Sequence, residues 1–402
     1  MASVDGAYAV IAAVGGAGVH AALAKASPTL TVFAAVVLIL VAARTVQQAL
    51  DDDEHVLVTG GPGQGKSTLS LRLAGEIAAR WSGGDAPPPL AEPVVPLRLT
   101  ARELATRLDL PFPKALVESI AADYGSLLWA EVGPAQVAER VAGCRWLLLV
   151  DGLDEVADPA DQSRLLHVLE GCAAPGSPYR VVVTTRPIEG SILAPLQRAS
   201  AARYELQPFD EEALRRFADN WFDGSPGVAD RFVRQLRAAH LDELVRVPLL
   251  ATIAAIIFEQ YGDRPLPDNQ YELYEAYLGY LLTAHPTAPG PFDHLREDLL
   301  QHLGRVRLRT DTSLMAAARA WVAGRVPVRV GWTDELTTFL TAAGPLVQRG
   351  DDLRFLHHSF AEHLAATSLA REFPERFTPE DDEVVRTVHA ARPKERGRFA
   401  RS

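Results

Sequence analysis

The chain has 402 residues, of which 48 % are apolar and 23 % charged, with 29 glycines and 28 prolines. This length allows two or three domains of roughly 150 residues each, and the composition excludes wholesale disorder, collagen-like repeats and coiled coil. A formal net charge of −11 argues against a broadly basic nucleic-acid surface. Two cysteines, Cys144 and Cys172, are too few for a disulfide framework or a zinc cluster. Both flank apolar runs and are expected to be buried, reduced thiols.

The first 50 residues stand apart. Ala7–Ala24 carries no formal charge, and after Lys25-Ala26-Ser27-Pro28 a second uncharged run covers Thr29–Ala43 and ends at Arg44. The second run would span roughly 22 Å as a helix, and roughly 28 Å if extended over Pro28–Val46 with Arg44 snorkelling. No basic segment precedes the first run, so a signal peptide is a poor reading. Membrane contact through residues 7–46 is the expectation, against the alternative of a soluble buried hairpin or an oligomerisation stalk. Asp51-Asp52-Asp53-Glu54 then reads as an acidic linker.

Apolar, β-rich segments follow at His55–Thr59, Pro93–Leu99, Trp146–Val150 and Arg180–Thr184, with a fifth at Ala202–Leu206. Helical patterns such as Ser67–Trp81 and Ala160–Leu169 separate them. Such alternation predicts a parallel sheet covered on both faces. From about residue 209 the pattern becomes helix after helix, broken by the Gly/Pro-rich His285–Pro291. No repeat of 20–50 residues is present, which excludes solenoids and propellers.

Gly60-Gly61-Pro62-Gly63-Gln64-Gly65-Lys66-Ser67 satisfies G-x-x-x-x-G-K-[ST], and it joins an apolar strand to a helix that begins with Thr68. Glycines let backbone N–H groups turn inward around a phosphate, and the helix N-terminus adds its positive dipole end. Lys66 would reach the β/γ oxygens and Ser67 would ligate Mg²⁺. A second apolar strand ends in Asp151-Gly152-Leu153-Asp154-Glu155. Asp151 is expected beside the Mg²⁺, directly or through a water. Asp154 and Glu155 are candidates to activate the water that attacks the γ-phosphate, Glu155 being preferred.

The Asp151–Glu155 string resembles the NACHT-type NTPases, signal-transducing P-loop ATPases that include animal and bacterial NLR-like immune proteins. Further along, Val181-Val182-Val183-Thr184-Thr185-Arg186-Pro187 resembles the family's strand ending in Thr-Thr-Arg, which makes Arg186 the γ-phosphate sensor. Val247-Pro248-Leu249-Leu250 resembles the Asn-Pro-Leu-Leu segment that closes over the base. Val247 stands where Asn is common, so only Pro248 carries over. Leu266-Pro267 and Tyr271–Glu275 resemble the run into a winged-helix domain and imply core packing. Phe355–Ala366 resembles the winged-helix signature F-x-H-x-S-F-x-E, where His357 would contact the diphosphate of a resting state.

The resemblance spans roughly residues 55–370 and implies an α/β P-loop NTPase followed by helical and winged-helix domains. The expected division is a hydrophobic arm over 1–50, a nucleotide-binding core over 51–207, a helical domain over 208–285, a winged helix over 286–370 and a charged tail over 371–402. Relatives usually continue into a sensor region. The expectation here is a short form with a partner as sensor, or a truncated chain.

The uncharged runs and the resemblance together imply a membrane-associated switch, and the need of the phosphate loop for cytosolic nucleotide places its NTPase on the cytoplasmic side. It would bind ATP/ADP, or GTP, with Mg²⁺, hydrolyse slowly, and form a homo-oligomer when an unknown trigger or sensor partner activates it, as in prokaryotic NLR-like antiviral defence. A continuously working motor lacks support, since no ABC-like Leu-Ser-Gly-Gly-Gln is present. A DNA-binding transcriptional regulator acting through the winged helix is the alternative. Arg305, Arg307 and Arg309 form a short basic cluster, but Glu297, Asp298 and Asp311 flank it, so a solvated mixed-charge face is expected and no specific nucleic acid.

Overall fold

A computed structural model describes residues 42–81, 90–124, 132–188, 190–222, 226–262, 264–283, 290–326, 331–342, 344–349 and 351–371. The run Ala7–Ala24, the second run up to Val41 and the charged tail beyond Arg371 lie outside them. Among the described residues no helix is long and apolar enough to cross a membrane.

The chain enters through α1 (Ala42–Asp52) and then builds a sheet from β1 (Val56–Thr59), β2 (Val94–Thr100), β3 (Arg145–Asp151), β4 (Tyr179–Thr185) and β5 (Ala202–Glu205). The five expected strands are all present, and they lie in the order β2-β3-β4-β1-β5. Every pairing between neighbours is parallel. Crossovers are made by α2 (Lys66–Trp81), α3 (Ala101–Ala105), α4 (Phe112–Tyr124), α5 (Pro134–Ala138), α6 (Pro159–Cys172) and α7 (Ala194–Arg198).

Successive strand residues point to opposite faces, and both faces are covered. Trp146, Leu148 and Val150 of β3 pack with α4 and α6 residues such as Leu116, Ile120, Leu165 and Leu169. Leu147 and Leu149 pack on the other face with Leu69, Leu73 and Ile77 of α2. Local chemistry sets the helix starts. Asp158 accepts a hydrogen bond from the Ala160 N–H, with Pro159 as the first helical residue of α6.

The acidic stretch after the arm is not a free linker. Asp51 and Asp52 belong to α1, whose Val46, Ala49 and Leu50 are buried, Val46 and Leu50 among the core side chains around α2. Gln47 donates to Glu76 of α2 at 2.9 Å, and the Asp51 carboxylate accepts from the Ala91 N–H at 2.8 Å. Arg180 donates to the Glu54 and Asp53 carbonyls, both at 2.7 Å. Burying a side chain such as Leu50 stabilises by about 1.5–3 kcal/mol, which outweighs the tendency of a charged run to stay solvated. An extension of the membrane run through Val46 is therefore corrected, because Val46 packs on the α/β core.

Beyond the sheet come α8 (Glu211–Trp221), α9 (Pro226–Ala238), α10 (Pro248–Tyr261) and α11 (Gln270–Thr283). They are followed by α12 (Arg296–Arg309), α13 (Leu314–Ala323), α14 (Trp332–Ala342), an antiparallel hairpin of β6 (Leu346–Arg349) and β7 (Asp352–Phe355), and α15 (His358–Ala370). One continuous apolar core joins these elements, with Phe217, Phe232, Phe258, Tyr277 and Phe360 at its centre.

The β6–β7 hairpin interrupts the helix-after-helix pattern read from residue 209 onward. Two expectations need correction here. Tyr271, expected in the core, is exposed, while Leu273 and Tyr274 beside it are buried. Cys172 is buried, and burial pushes its thiol up to about 12, but Cys144 is only half-buried.

Candidate phosphate-binding site

The sequence-predicted residues converge at the carboxyl ends of β1, β3 and β4. Parallel register places Thr59 beside Thr185, and the Gly60 N–H donates to the Thr185 carbonyl at 3.1 Å. The loop Gly60–Gly65 then turns into α2. Gly63 has φ +73°, and a Cβ on it would come within 2.8 Å of Val247 and 2.9 Å of Leu249. Only glycine satisfies both constraints. The Leu249 N–H donates to the Gly63 carbonyl at 3.1 Å, so the Val247–Leu249 segment lies directly on the loop. Pro248 itself is buried as the first residue of α10. Gln64 accepts from the Gly61 N–H at 2.5 Å and closes the loop's entry.

Lys66 folds over the loop and donates to the carbonyls of Gly60 at 2.7 Å and Gly61 at 3.0 Å. Its ammonium is lowered from the ordinary lysine range, mainly by burial, with Asp154, Asp151 and Glu155 pulling it back up. Ser67 and Thr68 open α2 directly after it.

The Asp151 carboxylate is buried at the end of β3 with both oxygens engaged. Oδ1 accepts from Thr184 Oγ1 at 2.7 Å, and Oδ2 accepts from Arg98 of β2. Thr184 Oγ1 in turn accepts from the Gly152 N–H at 3.0 Å. Burial alone would lower the Arg98 guanidinium, but Asp151, followed by Tyr124 and Asp123, holds it above its ordinary value. Arg98 escaped the sequence reading. The signal was present as one arginine in the middle of Val94-Val95-Pro96-Leu97-Arg98-Leu99, since a charge there requires a buried partner.

Asp154, Glu155 and Arg186 are brought together but committed differently from expectation. Asp154 accepts from the Arg186 N–H at 2.9 Å and from its Nε at 3.0 Å, so it holds the arginine in place. Arg186 Nη1 reaches Glu362 of α15 at 2.6 Å. Gly152 takes the left-handed conformation at φ +75°, and the turn it allows brings Glu155 round to meet Arg307 of α12 at 2.6 Å. Arg307 is thus not part of a solvated basic face. It is half-buried against Glu155, and the lost solvation lowers its guanidinium while Glu155 acts to raise it. The Arg305–Arg309 cluster loses its central charge to this pair.

His357 is the residue before α15, and its Nδ1 accepts from the Ser359 N–H at 3.1 Å. An accepting Nδ1 puts the proton of the neutral ring on Nε2, leaving that edge as a donor. Burial first, then the charges of His358, Arg186 and Lys66, lower its pKa from 6.5 to about 4. Both cations therefore lie within electrostatic reach of His357.

This depression carries a pH signature. Between about 6.5 and about 4 the unfolded chain binds a proton that folded His357 does not. Stability is therefore complete above the upper value and is lost as pH falls through this window, by up to about 3 kcal/mol. Thermal melting from pH 7.5 down to 4.5 should show that loss, and His357→Asn, whose side-chain oxygen can accept from the Ser359 N–H, should reduce it. An unchanged slope in the variant would exclude His357 as its source.

Among solved structures the chain is similar to the Aeropyrum pernix ORC1 protein in complex with DNA, at 16 % identity over 83 % of this chain and 92 % of that one, with a TM-score of 0.34. It is similar to Cdc6p from Pyrobaculum aerophilum at 12 % identity, covering 82 % and 95 %, with a TM-score of 0.36. A mutant of Thermotoga maritima RuvB gives 13 % identity, 81 % and 92 % coverage and a TM-score of 0.29. No curated protein matches. Residues 54–225 match the family model of the NACHT domain, a stretch that contains the phosphate loop, the Asp151–Glu155 turn and Arg186. The chain therefore carries a NACHT domain, a P-loop NTPase module, as its nucleotide-binding core.

Proposed function

We propose that the protein is a nucleotide-controlled signalling switch that binds and slowly hydrolyses ATP or GTP. One observation carries this reading. The two groups best suited to act on a γ-phosphate, Glu155 and Arg186, are each ion-paired to the C-terminal region, through Arg307 and Glu362. Hydrolysis competence and the docking of that region are then mutually exclusive uses of the same side chains, which is how a two-state element couples chemistry to shape. Arg102 adds a third contact, to Asp311 at 2.7 Å.

The donor set suits Mg²⁺. Ser67 and Asp151 offer hard oxygens, and a carboxylate already holding two hydrogen-bond donors suits an ion that keeps several of its waters. When bound, Mg²⁺ would neutralise phosphate charge. The chain's own part is to position it: the loop N–H groups and Lys66 cradle the phosphates, Asp154 fixes Arg186, and Glu155, once released from Arg307, accepts the proton of the attacking water.

Three helices followed by a hairpin, α12 to β7, match the order expected of a winged helix, and we assign residues 286–370 to one. The wider reading includes a homo-oligomer on activation and a membrane effector arm in the uncharged runs Ala7–Ala24 and Thr29–Ala43, with the NTPase facing the cytoplasm. It also includes a role in prokaryotic NLR-like defence. The sequence of the two uncharged runs supports the arm, and the pinning of α1 on α2 would tie the arm's base to the nucleotide site.

Glu155→Gln should bind triphosphate normally and lose hydrolysis, because an amide cannot take the proton. Arg307→Met, which frees Glu155, should raise the steady-state rate about tenfold, the effect of about 1.4 kcal/mol. A slower or unchanged Arg307→Met enzyme that still binds nucleotide would overturn the competition between docking and hydrolysis.

A further inference from the structure

Helices α12 and α15 run side by side in opposite directions. Arg371, at the end of α15, donates to Gln301 at 3.3 Å and Asp298 at 3.5 Å near the start of α12, while Gly304, further along α12, faces Ala361 to Ala365. The approach at Gly304 is closer than a side chain allows. A Cβ there would stand 2.9 Å from the Ala361 carbonyl oxygen, 3.2 Å from the Ala365 amide nitrogen and 3.2 Å from Leu364 Cβ. The first two are backbone atoms, which cannot rotate aside. Gly279, also inside a helix, has nothing within 4 Å of the same position, so the closeness belongs to this crossing. Glycine weakens a helix interior relative to alanine, and here that loss is offset by direct backbone packing with Ala361 and Ala365 buried.

The frame around α15 is tied to the nucleotide-binding core. Arg307 of α12 meets Glu155 at 2.6 Å, and just past that helix Asp311 accepts from Arg102 Nε at 2.7 Å and from the Ala157 N–H at 3.2 Å. Arg354 of β7 meets Asp123 at 2.7 Å and Glu103 at 3.1 Å. α15 itself reaches the core through Glu362, directly after Ala361, and Glu362 Oε1 accepts from Arg186 Nη1 at 2.6 Å. Asp154 holds the Nε side of the same guanidinium at 3.0 Å, so Nη1 is the end with a choice of partner.

We propose that Gly304 is a positioning residue for the phosphate site: by letting α15 seat fully against α12, it sets the reach of Glu362 and so how firmly Arg186 is withheld from a γ-phosphate. This rests on the reading of Arg186 as the phosphate-side cation. A side chain at position 304 must displace α15, because Arg307 and Asp311 hold α12 to the core. A shift of several tenths of an ångström weakens a charge-assisted hydrogen bond, whose strength depends on short, aligned geometry. Arg186 then turns more readily to phosphate.

The test is a cycle of substitutions in the full-length protein, read by calorimetry as affinity for the imidodiphosphate analogue of ATP or GTP. Glu362→Gln, which loosens the hold on Arg186, should tighten that affinity about fivefold. Gly304→Ala should tighten it about two- to threefold, and the double variant should match Glu362→Gln alone, since the wedge then has nothing left to loosen. Gly279→Ala, at a helical glycine with room for a methyl group, should leave the affinity unchanged. A merely structural role moves the readout differently. Weakened or unchanged affinity in folded Gly304→Ala, or an effect that adds to that of Glu362→Gln, would overturn the proposal.

Wild-type protein gives a second readout that does not depend on any variant folding. Binding of the same analogue should speed amide exchange in residues 359–365 of α15 by a larger factor than in residues 303–309 of α12, which stay tied to the core. Equal changes in the two helices, or none, would contradict the proposal. Failure of the wild-type chain to bind any nucleotide would instead defeat the reading of the phosphate site beneath it.

Discussion

Arg98→Met should lower the stability of the nucleotide-binding core by about 3–5 kcal/mol, because it leaves the buried Asp151 carboxylate without its cation. Against a total of about 5–15 kcal/mol, that loss is large, and in a domain of this size it corresponds to a fall in Tm of roughly 6–20 °C. Methionine keeps most of the arginine's volume, so a cavity is not the cause. Asp151→Asn in the same chain removes the stranded charge and should restore much of the melting temperature. Recovery in the double variant identifies the ion pair; additive losses would show that Arg98 acts by packing alone.

Lys66→Ala should reduce nucleotide affinity about a hundredfold or more. Two charge-assisted hydrogen bonds at about 1.5–3 kcal/mol each are at stake, and the loop's N–H dipoles alone cannot offset the β/γ charge. Lys66 now donates to the Gly60 and Gly61 carbonyls at 2.7 and 3.0 Å, bonds it would exchange for phosphate oxygens. Its removal therefore acts on binding more than on folding. Equilibrium dialysis with ADP reads the affinity and thermal melting without nucleotide reads the fold. Near-normal affinity in a folded variant would remove the assignment of Gly60–Ser67 as a phosphate loop.

The sheet was legible because each strand is a nearly continuous apolar run bounded by polar or glycine residues, as parallel strands buried on both faces must be. Short-range motifs were legible for the same reason: Gly60–Ser67 and Asp151–Glu155 carry their geometry in consecutive residues. The partners of those residues were not. Arg307 sits 152 positions from Glu155 and lies among acidic neighbours that suggest a solvated helix. Glu362 was visible only as part of a winged-helix signature, with nothing to say that it would meet Arg186, 176 positions away. The four-residue strands of the β6–β7 hairpin are too short to show alternation against flanking helices. At α1, the run of four acids hid the apolar side of the helix: Val46, Ala49 and Leu50 are spaced to face one way, but they follow directly on the uncharged stretch. Arg98 was the one misread residue whose own context could have identified it.

On the proposed function, the closed arrangement, with Glu155 on Arg307 and Arg186 on Glu362, is a nucleotide-holding resting state. Nucleotide released by denaturing the freshly purified full-length protein tests it most directly. Close to one equivalent of a nucleoside diphosphate per chain is expected, retained through gel filtration and lost in Lys66→Ala. Protein that purifies without nucleotide and turns over triphosphate rapidly with both ion pairs intact would contradict it.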